Sequence, residues 1–598
     1  MFILGLSCFY HDAAAALIED GVLVAAAEEE RFSRKKHDFG FPELAIQFCL
    51  RQRGITLHDV DYVVFYEKPL IKFERLMLTL LATVPRSNRV FREAMRAWME
   101  DKLWVKSTLK EKLGLPDSRV FFVEHHLSHA ASSFLCSPFE EAAVMTVDGV
   151  GEWVTGTLGW AKTTREGGGE RTTIRLTKEM RFPHSLGLLY SAFTAFLGFE
   201  VNEGEYKVMG MAPYGEPKYV DKVLQLLDLR DDGSFALDLS HFCYHYSADR
   251  TINQKFEQVF GTPRDPKARF VTRLTSLFDD PNPPTADELE RNQYYADVGA
   301  SIQQVTEDIL LKMARHLYAE TGLKRLCLAG GVALNSCANY RLWRETPFEE
   351  IYIQPAAGDS GGAIGAALYA YNVILGKPRN FVMEHAYWGE EFGDSAAAAL
   401  VRERGLKHEV IEDDEKLFDR VVDHLLQGHV IGWYQGRFEW GPRALGNRSI
   451  IADPRRADMK DIVNIKIKFR EPFRPFAPSV LVDRAEEFFD FAPARANSPG
   501  RFMLMVSPVK EDKREVIPAV THQDGTGRLQ TVFKETNPRY HRLIEKFGEA
   551  TGVPIVLNTS FNLKGEPIVT TPANAHNTYA TSGMDGLVLN HHLITKND

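Results

Sequence analysis

Three histidines lie within five consecutive positions of the segment VEHHLSHAASSF, which starts at Val123. If this segment is helical, His125 and His129 lie roughly 40° apart on one face and about 6 Å apart along the axis. Two imidazoles in this arrangement can reach one divalent cation. His126 points away from that face, and it occupies the position where a zinc protease carries glutamate. The spacing therefore predicts a metal site and disfavours a protease.

Two aspartates are candidates to complete such a site. Asp148 begins the segment DGVGEW and Asp359 lies in PAAGDSGGAIGAAL, so each carboxylate is in a glycine-rich turn from which a short side chain can project. Carboxylates added to two imidazoles suit a hard or borderline divalent ion. The alternative is that these polar side chains are satisfied structurally at helix ends and turns. The paired histidine spacing favours the metal site.

Two glycine-rich segments could approach phosphate groups. Gly330 and Gly331 in CLAGGVALN follow an apolar, strand-like run, and glycine there permits close contact of the backbone with phosphate or adenine. Lys207 lies among glycines in GEYKVMGMAPYG, where it could contact a polyphosphate, with a plain loop as an equal alternative. The chain contains no G-x-x-x-x-G-K-[ST] motif, so any ATP site is not a P-loop.

A cationic stretch lies in the second half of a chain whose formal charge is −10. Residues 437–474 contain ten Lys or Arg against five Asp or Glu. Arginine forks and a lysine point charge suit a compact oxyanion. The segment LNTSFNLKGEP adds Asn558, Thr559 and Ser560 as small polar groups. A solvated basic surface and an RNA-binding face are the alternatives to an anion pocket.

Strand and helix patterns surround these residues and indicate an α/β protein. FILGLS is followed by two apolar runs joined at Asp20-Gly21, which predicts three strands with a hairpin turn. EEAAVMTVDGVGEWVTGTLGWAK repeats the pattern of strand, glycine turn and strand, so we expect an internal duplication. Residues 71–113 and 293–321 are helix-like.

The 598 residues are too many for one core, and the composition loosens at residues 375–395. We therefore expect two domains, residues 1–378 and residues 379–598. With 44% hydrophobic and 25% charged residues, the composition is that of a globular protein. The negative charge argues against a surface built throughout for nucleic acid.

The cysteine pattern and the N-terminus indicate the compartment. The six cysteines are scattered and no pair forms C-x-x-C, which suits a reducing environment. The N-terminus lacks the basic region of a signal peptide, and the longest apolar run, residues 76–84, is too short to span a bilayer. We therefore expect a cytoplasmic protein with neither membrane nor nucleic acid as a partner.

Taken in this order, HHLSHA, DGVGEW, GEYKVMGMAPYG, LAGGVALN and PAAGDSGGAIGAAL resemble the O-carbamoyltransferases of nodulation-factor and antibiotic biosynthesis. The resemblance extends over nearly the whole chain. It implies that residues 1–378 form a duplicated actin-like ATPase (ASKHA) fold that binds metal and nucleotide and carries out carbamoyl transfer. It also implies that residues 379–598 form a YrdC-like α/β domain that binds carbamoyl phosphate.

The same resemblance assigns roles to individual residues of the motifs. It implies one divalent metal, expected to be Fe²⁺ with other divalent ions as alternatives, held by His125, His129, Asp148 and Asp359. It implies a nucleotide site that includes Lys207, Gly210, Gly330, Gly331 and Asn335. It implies that carbamoyl phosphate is bound by Arg443, Lys468, Arg474, Arg528, Asn558 and Ser560.

The implied reaction is ATP-dependent carbamoylation of a hydroxyl group on a small molecule, either a natural product or a sugar. Carbamoyl phosphate would yield carbamate, which attacks ATP (bound with Mg²⁺) to form carbamoyl-adenylate, and the acceptor hydroxyl would then displace AMP. His11, just beyond the first strand, is the expected general base, because an imidazole suits proton abstraction near neutrality. Lys36 in RKKHDFGFP would contact phosphate or the carbamoyl oxygen.

Two other functions stay open at this point. A tRNA threonylcarbamoyl-type transferase would consume threonine and bicarbonate and bind tRNA, which the acidic balance disfavours. A non-enzymatic, actin-like nucleotide-binding module would hydrolyse ATP slowly or not at all. A hydrogenase-maturation carbamoyltransferase would carry C-x-x-C zinc fingers, which this sequence lacks. A homodimer is among the assemblies that the sequence allows.

Overall fold

The structure is a computed structural model that describes residues 1–100, 102–166, 169–275, 282–491 and 499–596. The chain forms two compact units. Unit 1 comprises Met1–Glu29, Phe39–Arg269 and Arg291–Met383, and unit 2 comprises Glu30–Asp38, Phe270–Glu290 and Glu384–Asp598. Unit 2 thus includes two short segments of the predicted N-terminal domain. The second unit otherwise begins within the region of loosened composition, where residues 376–390 form neither helix nor strand.

The first sheet of unit 1 has five strands. These are Phe2–Ser7 (β1), Ala14–Glu19 (β2), Val22–Glu28 (β3), Tyr62–Phe65 (β4) and Val120–Phe122 (β5). Asp20 and Gly21 have φ angles of 49° and 83° and form the turn predicted between β2 and β3. The order is β3-β2-β1-β4-β5, with β1, β2 and β3 antiparallel and β4 and β5 parallel to β1.

The second sheet of unit 1 repeats this topology. Its strands are Glu141–Val147 (β6), Val154–Glu166 (β7), Gly169–Arg181 (β8), Arg325–Ala329 (β11) and Glu350–Tyr352 (β12). Between β8 and β11 in the chain, Leu227–Leu229 (β9) and Phe235–Leu237 (β10) form a separate small hairpin. The order is β8-β7-β6-β11-β12, with β6, β7 and β8 antiparallel and β11 and β12 parallel to β6. The expected internal duplication is therefore present, and the α/β class is confirmed.

The helices of this part of the chain cover and connect the two sheets. They are Glu43–Arg53 (α1), Pro69–Ala82 (α2), Asn88–Glu100 (α3), Val105–Leu113 (α4), His125–Phe134 (α5), Leu186–Phe196 (α6), Glu205–Met211 (α7), Val220–Leu224 (α8), Gln254–Phe260 (α9), Ala286–Thr321 (α10), Ser336–Glu345 (α11) and Gly361–Tyr369 (α12). The predicted helical stretch 71–113 is thus three helices, α2 to α4. Nearly every residue of α5 and α12 is buried. No helix in the described ranges is both long and apolar enough to cross a membrane.

In the described residues of unit 2, one mixed sheet contains nine strands. These are Glu409–Val410 (β13), Ile431–Tyr434 (β14), Arg448–Ala452 (β15), Ala477–Leu481 (β16), Met505–Pro508 (β17), Thr526–Val532 (β18), Ile555–Ser560 (β19), Gly586–Leu589 (β20) and His592–Thr595 (β21). Their order is β13-β21-β20-β14-β15-β19-β16-β18-β17. β19 lies antiparallel to both β15 and β16, so residues from distant parts of the sequence meet at the centre of the sheet.

Four longer helices accompany this sheet. They are Asp394–Arg404 (α13), Asp414–Leu426 (α14), Pro538–Thr551 (α15) and Pro572–Ala580 (α16). Leu417 and Val421 of α14 share one core cluster with Leu543 and Phe547 of α15. Each pair is spaced i,i+4, which puts its two side chains on one face of the helix and lets both helices bury an apolar stripe. This α/β architecture agrees with the domain class expected for the second half.

Candidate functional site

Four buried side chains of unit 1 meet where strands end. β5 leads directly into α5, which begins at His125 and carries His129 one turn later. Asp148 is the residue after β6, and Asp359 lies in the turn between β12 and α12. All four residues are less than a tenth exposed. The structure thus brings together the four side chains that the sequence proposed as metal ligands.

The distances among these groups suit a single ion. His125 Nε2 lies 3.0 Å from His129 Nε2 and 3.1 Å from Asp148 Oδ2. Asp359 Oδ1 lies 3.6 Å from both Nε2 atoms. One donor atom from each residue lies within 4.8 Å of the other three. Donor atoms about 2 Å from one shared metal are spaced in this way, and two imidazoles with two carboxylates accept a divalent cation.

Neighbouring groups orient these ligands. Asp148 Oδ1 accepts the backbone N–H of Gly331 at 2.9 Å, which leaves Oδ2 facing the imidazoles. Glu152 Oε1 accepts the backbone N–H of His125 at 3.1 Å, so a carboxylate lies at the N-terminus of α5, where the helix dipole favours negative charge. The buried Nδ1 atoms of His125 and His129 have no hydrogen-bond partner in the described part of the chain. The Nε2 atoms are therefore the ones arranged to bind a ligand.

His126 has a structural role instead. Its Nδ1 contacts Thr146 Oγ1 at 2.7 Å and its Nε2 contacts Val154 O at 2.9 Å, so the ring ties α5 to β6 and β7. Burial, followed by the charges of His125 and His129, holds the pKa of His126 well below its usual value. The neutral ring can donate one hydrogen bond and accept another, as these two contacts require.

Close backbone contacts hold the site together. A Cβ on Gly365 of α12 would lie 1.9 Å from Ser128 O of α5, so the two helices touch through their backbones. Gly330 has a φ of 95°, and a Cβ there would lie 2.3 Å from Val147 O. The turn after β11 therefore packs closely against the end of β6, and the N–H of Gly331 donates to Asp148 Oδ1. Only glycine fits both positions.

The charges of the cluster are coupled. Burial alone would lower the pKa of His129, but hydrogen bonds to Asp148 and Asp359 raise it to about 9. Burial alone would raise the pKa of Asp148, but contacts with His125 and His129 hold it well below its usual value. In the metal-free form a proton on an imidazole therefore supplies positive charge that the two carboxylates require.

Charged residues not anticipated from the sequence lie beside this cluster. Glu67 follows β4, and its Oε2 lies 2.5 Å from Lys72 Nζ of α2. Lys72 Nζ also lies 3.9 Å from the centre of the Tyr10 ring. Arg75, one turn further along α2, donates to Gly151 O at 2.9 Å. Lys72 and Arg75 are spaced i,i+3 in a largely apolar segment. This pattern was the signal in the sequence that could have identified the group.

Tyr10 connects these charges with the cluster. Burial raises the pKa of the Tyr10 phenol, Lys72 and Arg75 act to lower it, and Asp359 and Asp148 act to raise it. The phenol therefore lies within electrostatic reach of both groups. This proximity makes the charged residues of α2 part of the surroundings of the cluster.

His11, the expected general base, follows β1 and is held by the next residue. Its Nδ1 lies 2.7 Å from Asp12 Oδ2. Burial alone would lower the pKa of His11, but Asp12 and then the charges of Asp359 and Asp148 raise it to about 9. A cation bound between Asp359 and Asp148 would neutralise part of this field, so binding of the ion would shift the pKa of His11 back toward neutrality.

The expected nucleotide residues occupy three neighbouring elements of unit 1. Gly330 and Gly331 form the turn after β11. Asn335 caps α11, and its Oδ1 accepts the N–H of Ala338 at 3.1 Å. Lys207 and Gly210 lie on α7, the helix whose Met209 Sδ accepts a hydrogen bond from Ser336 Oγ at 3.6 Å. The structure thus places α7 beside the start of α11.

Lys36, the second expected catalytic residue, belongs to unit 2. Its segment, Glu30–Asp38, is fastened there by two arginines. Arg31 Nη2 donates to Gly441 O at 2.6 Å, and Arg34 Nη1 donates to Ile568 O at 2.6 Å. The sequence placed Lys36 with the N-terminal domain, whereas the structure puts it near the cationic residues of the C-terminal half.

Buried polar side chains lie at the centre of the unit 2 sheet. Asn558 of β19 donates through Nδ2 to Gln530 Oε1 at 2.8 Å and to Ala444 O at 3.1 Å. Gln530 of β18 donates through Nε2 to Leu445 O at 2.9 Å. Asn558 Oδ1 is buried and has no hydrogen-bond partner among the described residues. These amides hold the loop that carries Arg443 and leave an acceptor atom for another molecule.

Glu439 fixes the other side of the same loop. Its Oε1 accepts the backbone N–H groups of Leu445, Asn447 and Arg448 at 2.7, 2.9 and 3.1 Å. The motif GPRALGN is therefore a rigid turn held by a buried carboxylate. Neither Glu439 nor Gln530 was anticipated from the sequence, because an acidic residue or an amide carries no local signal for such a role.

The side chain of Lys468 reaches Ser560, the last residue of β19. Its Nζ donates to Ser560 O at 2.7 Å and to Asn562 O and Oδ1 at 2.7 and 2.8 Å. Burial, followed by the charges of Arg470, Arg474 and Lys36, holds the pKa of Lys468 well below its usual value. Several cations therefore crowd one buried ammonium group, and a bound anion would relieve their repulsion.

The remaining expected anion ligands lie on strands and loops of the same sheet. Ser560 lies two residues after Asn558 on β19, and Arg528 lies two residues before Gln530 on β18. Side chains two residues apart in a strand share one face of the sheet. Arg474 Nη1 lies 3.7 Å from Glu471 Oε2. The six predicted carbamoyl phosphate residues thus lie on or around one region of unit 2.

Comparison with known proteins relates both parts of the chain to one family. The family model described as the carbamoyltransferase N-terminus matches residues 2–368, and the one described as the carbamoyltransferase C-terminus matches residues 422–596. The uncharacterized protein sll1178 of Synechocystis sp. is 47% identical over 629 residues, which cover 99% of this chain and 96% of that protein.

Two further relatives are named for a biological process or an enzymatic activity. The nodulation protein NolNO of Sinorhizobium fredii is 39% identical over 591 residues, which cover 98% of this chain and 79% of that protein. The 3'-hydroxymethylcephem-O-carbamoyltransferase of Amycolatopsis lactamdurans is 36% identical over 247 residues, which cover 41% of this chain and 44% of that enzyme. Similarity to the first of these extends over almost the whole chain.

Proposed function

The chain belongs to the carbamoyltransferase family, and we propose that it uses ATP and carbamoyl phosphate to carbamoylate a hydroxyl group of a small molecule. The observation that carries this proposal is the cationic region of unit 2. There the buried Lys468 ammonium and its neighbouring arginines suit the phosphate of carbamoyl phosphate, and the buried acceptor Asn558 Oδ1, which has no partner among the described residues, suits its amide. The natural product or sugar that accepts the carbamoyl group is expected to carry a free hydroxyl.

The first stage prepares an electrophile in unit 2. Water displaces phosphate from carbamoyl phosphate and leaves carbamate, whose oxygen attacks the α-phosphorus of ATP and expels pyrophosphate. Arg443, Arg474, Arg528 and Lys468 stabilise the charges that develop on the phosphate oxygens. Lys36 adds a further cation and contacts phosphate or the carbamoyl oxygen. Ser560 and Asn558 orient the carbamoyl group through hydrogen bonds.

The second stage uses the cluster of unit 1. His125, His129, Asp148 and Asp359 would hold a divalent ion, Fe²⁺ by family resemblance, which supplies a Lewis acid for phosphate oxygens. Gly330, Gly331, Asn335, Lys207 and Gly210 contribute to nucleotide binding. His11 accepts the proton of the acceptor hydroxyl as that oxygen attacks the carbamoyl carbon. AMP leaves with the oxygen that joined the carbamoyl carbon to phosphorus.

In this proposal residues 379–598 carry out the first stage and residues 1–378 the second. Lys36 contributes to the first stage from its segment in unit 2. The compartment proposed for the reaction is the cytoplasm, where ATP and a reducing environment are both present. A homodimer is compatible with the proposal, since each chain carries both groups of residues.

One assay tests the proposal. The full chain is supplied with ATP, Mg²⁺, Fe²⁺ and carbamoyl phosphate, and the nucleotide products are identified. We expect AMP and pyrophosphate, formed only when carbamoyl phosphate is present. ADP would contradict adenylate formation, and an absence of turnover would support a nucleotide-binding module. Turnover with threonine and bicarbonate in place of carbamoyl phosphate would support the tRNA threonylcarbamoyl-type alternative.

A further inference from the structure

Arg75 is a buried cation that lacks a carboxylate partner. The residue is 8% exposed. Its Nη1 donates to Gly151 O at 2.9 Å, and its guanidinium carbon lies 5.1 Å from the centre of the Phe182 ring. Within the described ranges of the chain, no Asp or Glu oxygen lies at ion-pairing distance from this guanidinium. A buried charge is normally paired, so this arrangement calls for an explanation.

The neighbouring carboxylates are already engaged. Glu67 Oε2 binds Lys72 Nζ at 2.5 Å, with both side chains almost fully buried. Glu152 Oε1 accepts the backbone N–H groups of Lys68 and His125 at 2.8 and 3.1 Å. These two side chains therefore balance Lys72 and the start of α5, and neither is positioned to pair with Arg75. Among the described residues the Arg75 guanidinium is held by a carbonyl oxygen and an aromatic ring, which leaves its charge available to a negative group of a bound molecule.

The position of Arg75 indicates where such a group would lie. The carbonyl that it contacts belongs to Gly151, and a Cβ on Gly151 would lie 2.8 Å from Cδ2 of the His125 ring. Arg75 is thus separated from a predicted metal ligand by one backbone segment. Lys72, one turn earlier on α2, lies over the Tyr10 ring at 3.9 Å. A negative group bound by Arg75 would therefore lie beside the centre where carbamoyl transfer is proposed.

We propose that Arg75 forms an oxyanion subsite beside the cluster of His125, His129, Asp148 and Asp359. The subsite binds a phosphate or carboxylate group of a substrate, because the guanidinium fork matches two oxygens of such a group. The oxyanion is carried either by the hydroxyl acceptor or by the nucleotide. The inference rests on the proposed function, since it assigns this oxyanion to a substrate of that reaction.

Binding of inorganic phosphate to the full chain tests the subsite. Because unit 2 is proposed to bind phosphate as well, every protein in the comparison carries Arg474→Gln and Arg528→Gln. In this background Arg75→Gln is expected to weaken phosphate binding roughly 10- to 100-fold, the effect of losing a charge-assisted hydrogen-bonded contact. Arg89→Gln is the matched control, because the Arg89 side chain is 68% exposed and pairs with Glu93. It should leave phosphate binding unchanged.

A second titration with a non-hydrolysable ATP analogue distinguishes the two sources. If the nucleotide supplies the oxyanion, the analogue displaces phosphate and Arg75→Gln weakens binding of the analogue as well. If the acceptor supplies it, phosphate binds alongside the analogue and Arg75→Gln leaves the affinity for the analogue unchanged. Either result supports the subsite and identifies its occupant.

Equal phosphate affinity with and without Arg75→Gln would overturn the subsite. If Arg75→Gln does not fold, Arg75→Lys provides the test, because it keeps a cation in the same buried position and should retain phosphate binding with some loss from the missing fork. An undiminished phosphate affinity in the folded Arg75→Lys variant would also contradict the inference. The proposed function is judged separately by AMP formation in the unsubstituted protein, so one idea can fail while the other stands.

Discussion

The Nε2 atoms of His125 and His129 lie 3.0 Å apart in unit 1, and both face the carboxylates of Asp148 and Asp359. Two lone pairs cannot point at each other over that distance, so one Nε2 atom carries a proton in the metal-free protein. Against the effect of burial, hydrogen bonds to the two carboxylates raise the pKa of His129 to about 9, which favours the fully protonated ring. A divalent cation would displace this proton, so we expect proton release on metal binding.

We expect the metal affinity to rise with pH. The pKa of His129 is raised to about 9, so below that pH the ring is protonated in the metal-free protein. Because a ligating imidazole must be neutral, each bound ion displaces this proton and the apparent affinity should increase about tenfold per pH unit between roughly pH 6 and pH 8. A metal-competition titration measures the slope. His129→Asn should abolish it, whereas the exposed His58→Asn should not, and a flat profile in the unsubstituted protein would contradict the arrangement.

Asp148→Asn should weaken metal binding. The substituted amide keeps an oxygen that can accept the N–H of Gly331, which Asp148 Oδ1 accepts at 2.9 Å, but it loses the negative charge. We expect metal affinity to fall by roughly 100-fold or more, because loss of a direct ligand should cost at least as much as loss of an outer partner. Asp249→Asn, at a side chain that is 65% exposed, is the control. Unchanged metal content in Asp148→Asn would exclude this carboxylate as a ligand.

Gly365→Ala should damage the site through the backbone. A Cβ at this position would lie 1.9 Å from Ser128 O, so α5 and α12 must move apart to admit it. We expect unfolding to become easier by about 1–3 kcal/mol or more, as for overpacked cores, together with weaker metal binding because His125 and His129 move with α5. Gly393→Ala, where a Cβ would meet nothing within 4 Å, is the control. Denaturant unfolding and metal content that match the unsubstituted protein would show that the two helices do not depend on this contact.

Binding of carbamoyl phosphate should take up protons. The pKa of Lys468 is held well below its usual value by burial and by neighbouring cations, so the side chain loses its proton at a lower pH than a solvated lysine does. An anion favours the charged form, so binding raises this pKa, protons are absorbed and affinity falls as pH rises. Calorimetry in buffers of different ionisation enthalpy measures the uptake. Lys468→Met should abolish it, Lys416→Met at an exposed position should not, and proton release on binding would contradict this account.

The parts of the site that the sequence anticipated share a local signal. The i,i+4 spacing of His125 and His129 depends only on helix geometry, and a carboxylate in a glycine turn such as Asp148 is visible without knowledge of the fold. The hairpin at Asp20-Gly21 and the repeated strand pattern were visible for the same reason. Short-range spacing therefore sufficed for the four clustered side chains and for the duplicated architecture.

The parts that were missed depend on pairing between strands that are distant in the sequence, and on short segments of the N-terminal half that belong to unit 2. Gln530 contacts Asn558 only because β18 and β19 both neighbour β16, a register that no local pattern specifies. Lys36 was placed with the N-terminal domain because its segment gives no sign that it packs in unit 2. Arg75 was missed although its helix is largely apolar, because the sequence alone does not show which face of α2 is buried.

The most direct test of the proposed reaction follows the oxygen atoms. Carbamoyl phosphate labelled with ¹⁸O at its carbonyl oxygen is supplied with unlabelled ATP, and the AMP produced is examined by mass spectrometry. Because carbamate attacks the α-phosphorus and the carbamoyl carbon later releases that oxygen, ¹⁸O should appear in the phosphate of AMP. Unlabelled AMP, or ADP as the nucleotide product, would show that carbamate never joins the nucleotide and would contradict the account.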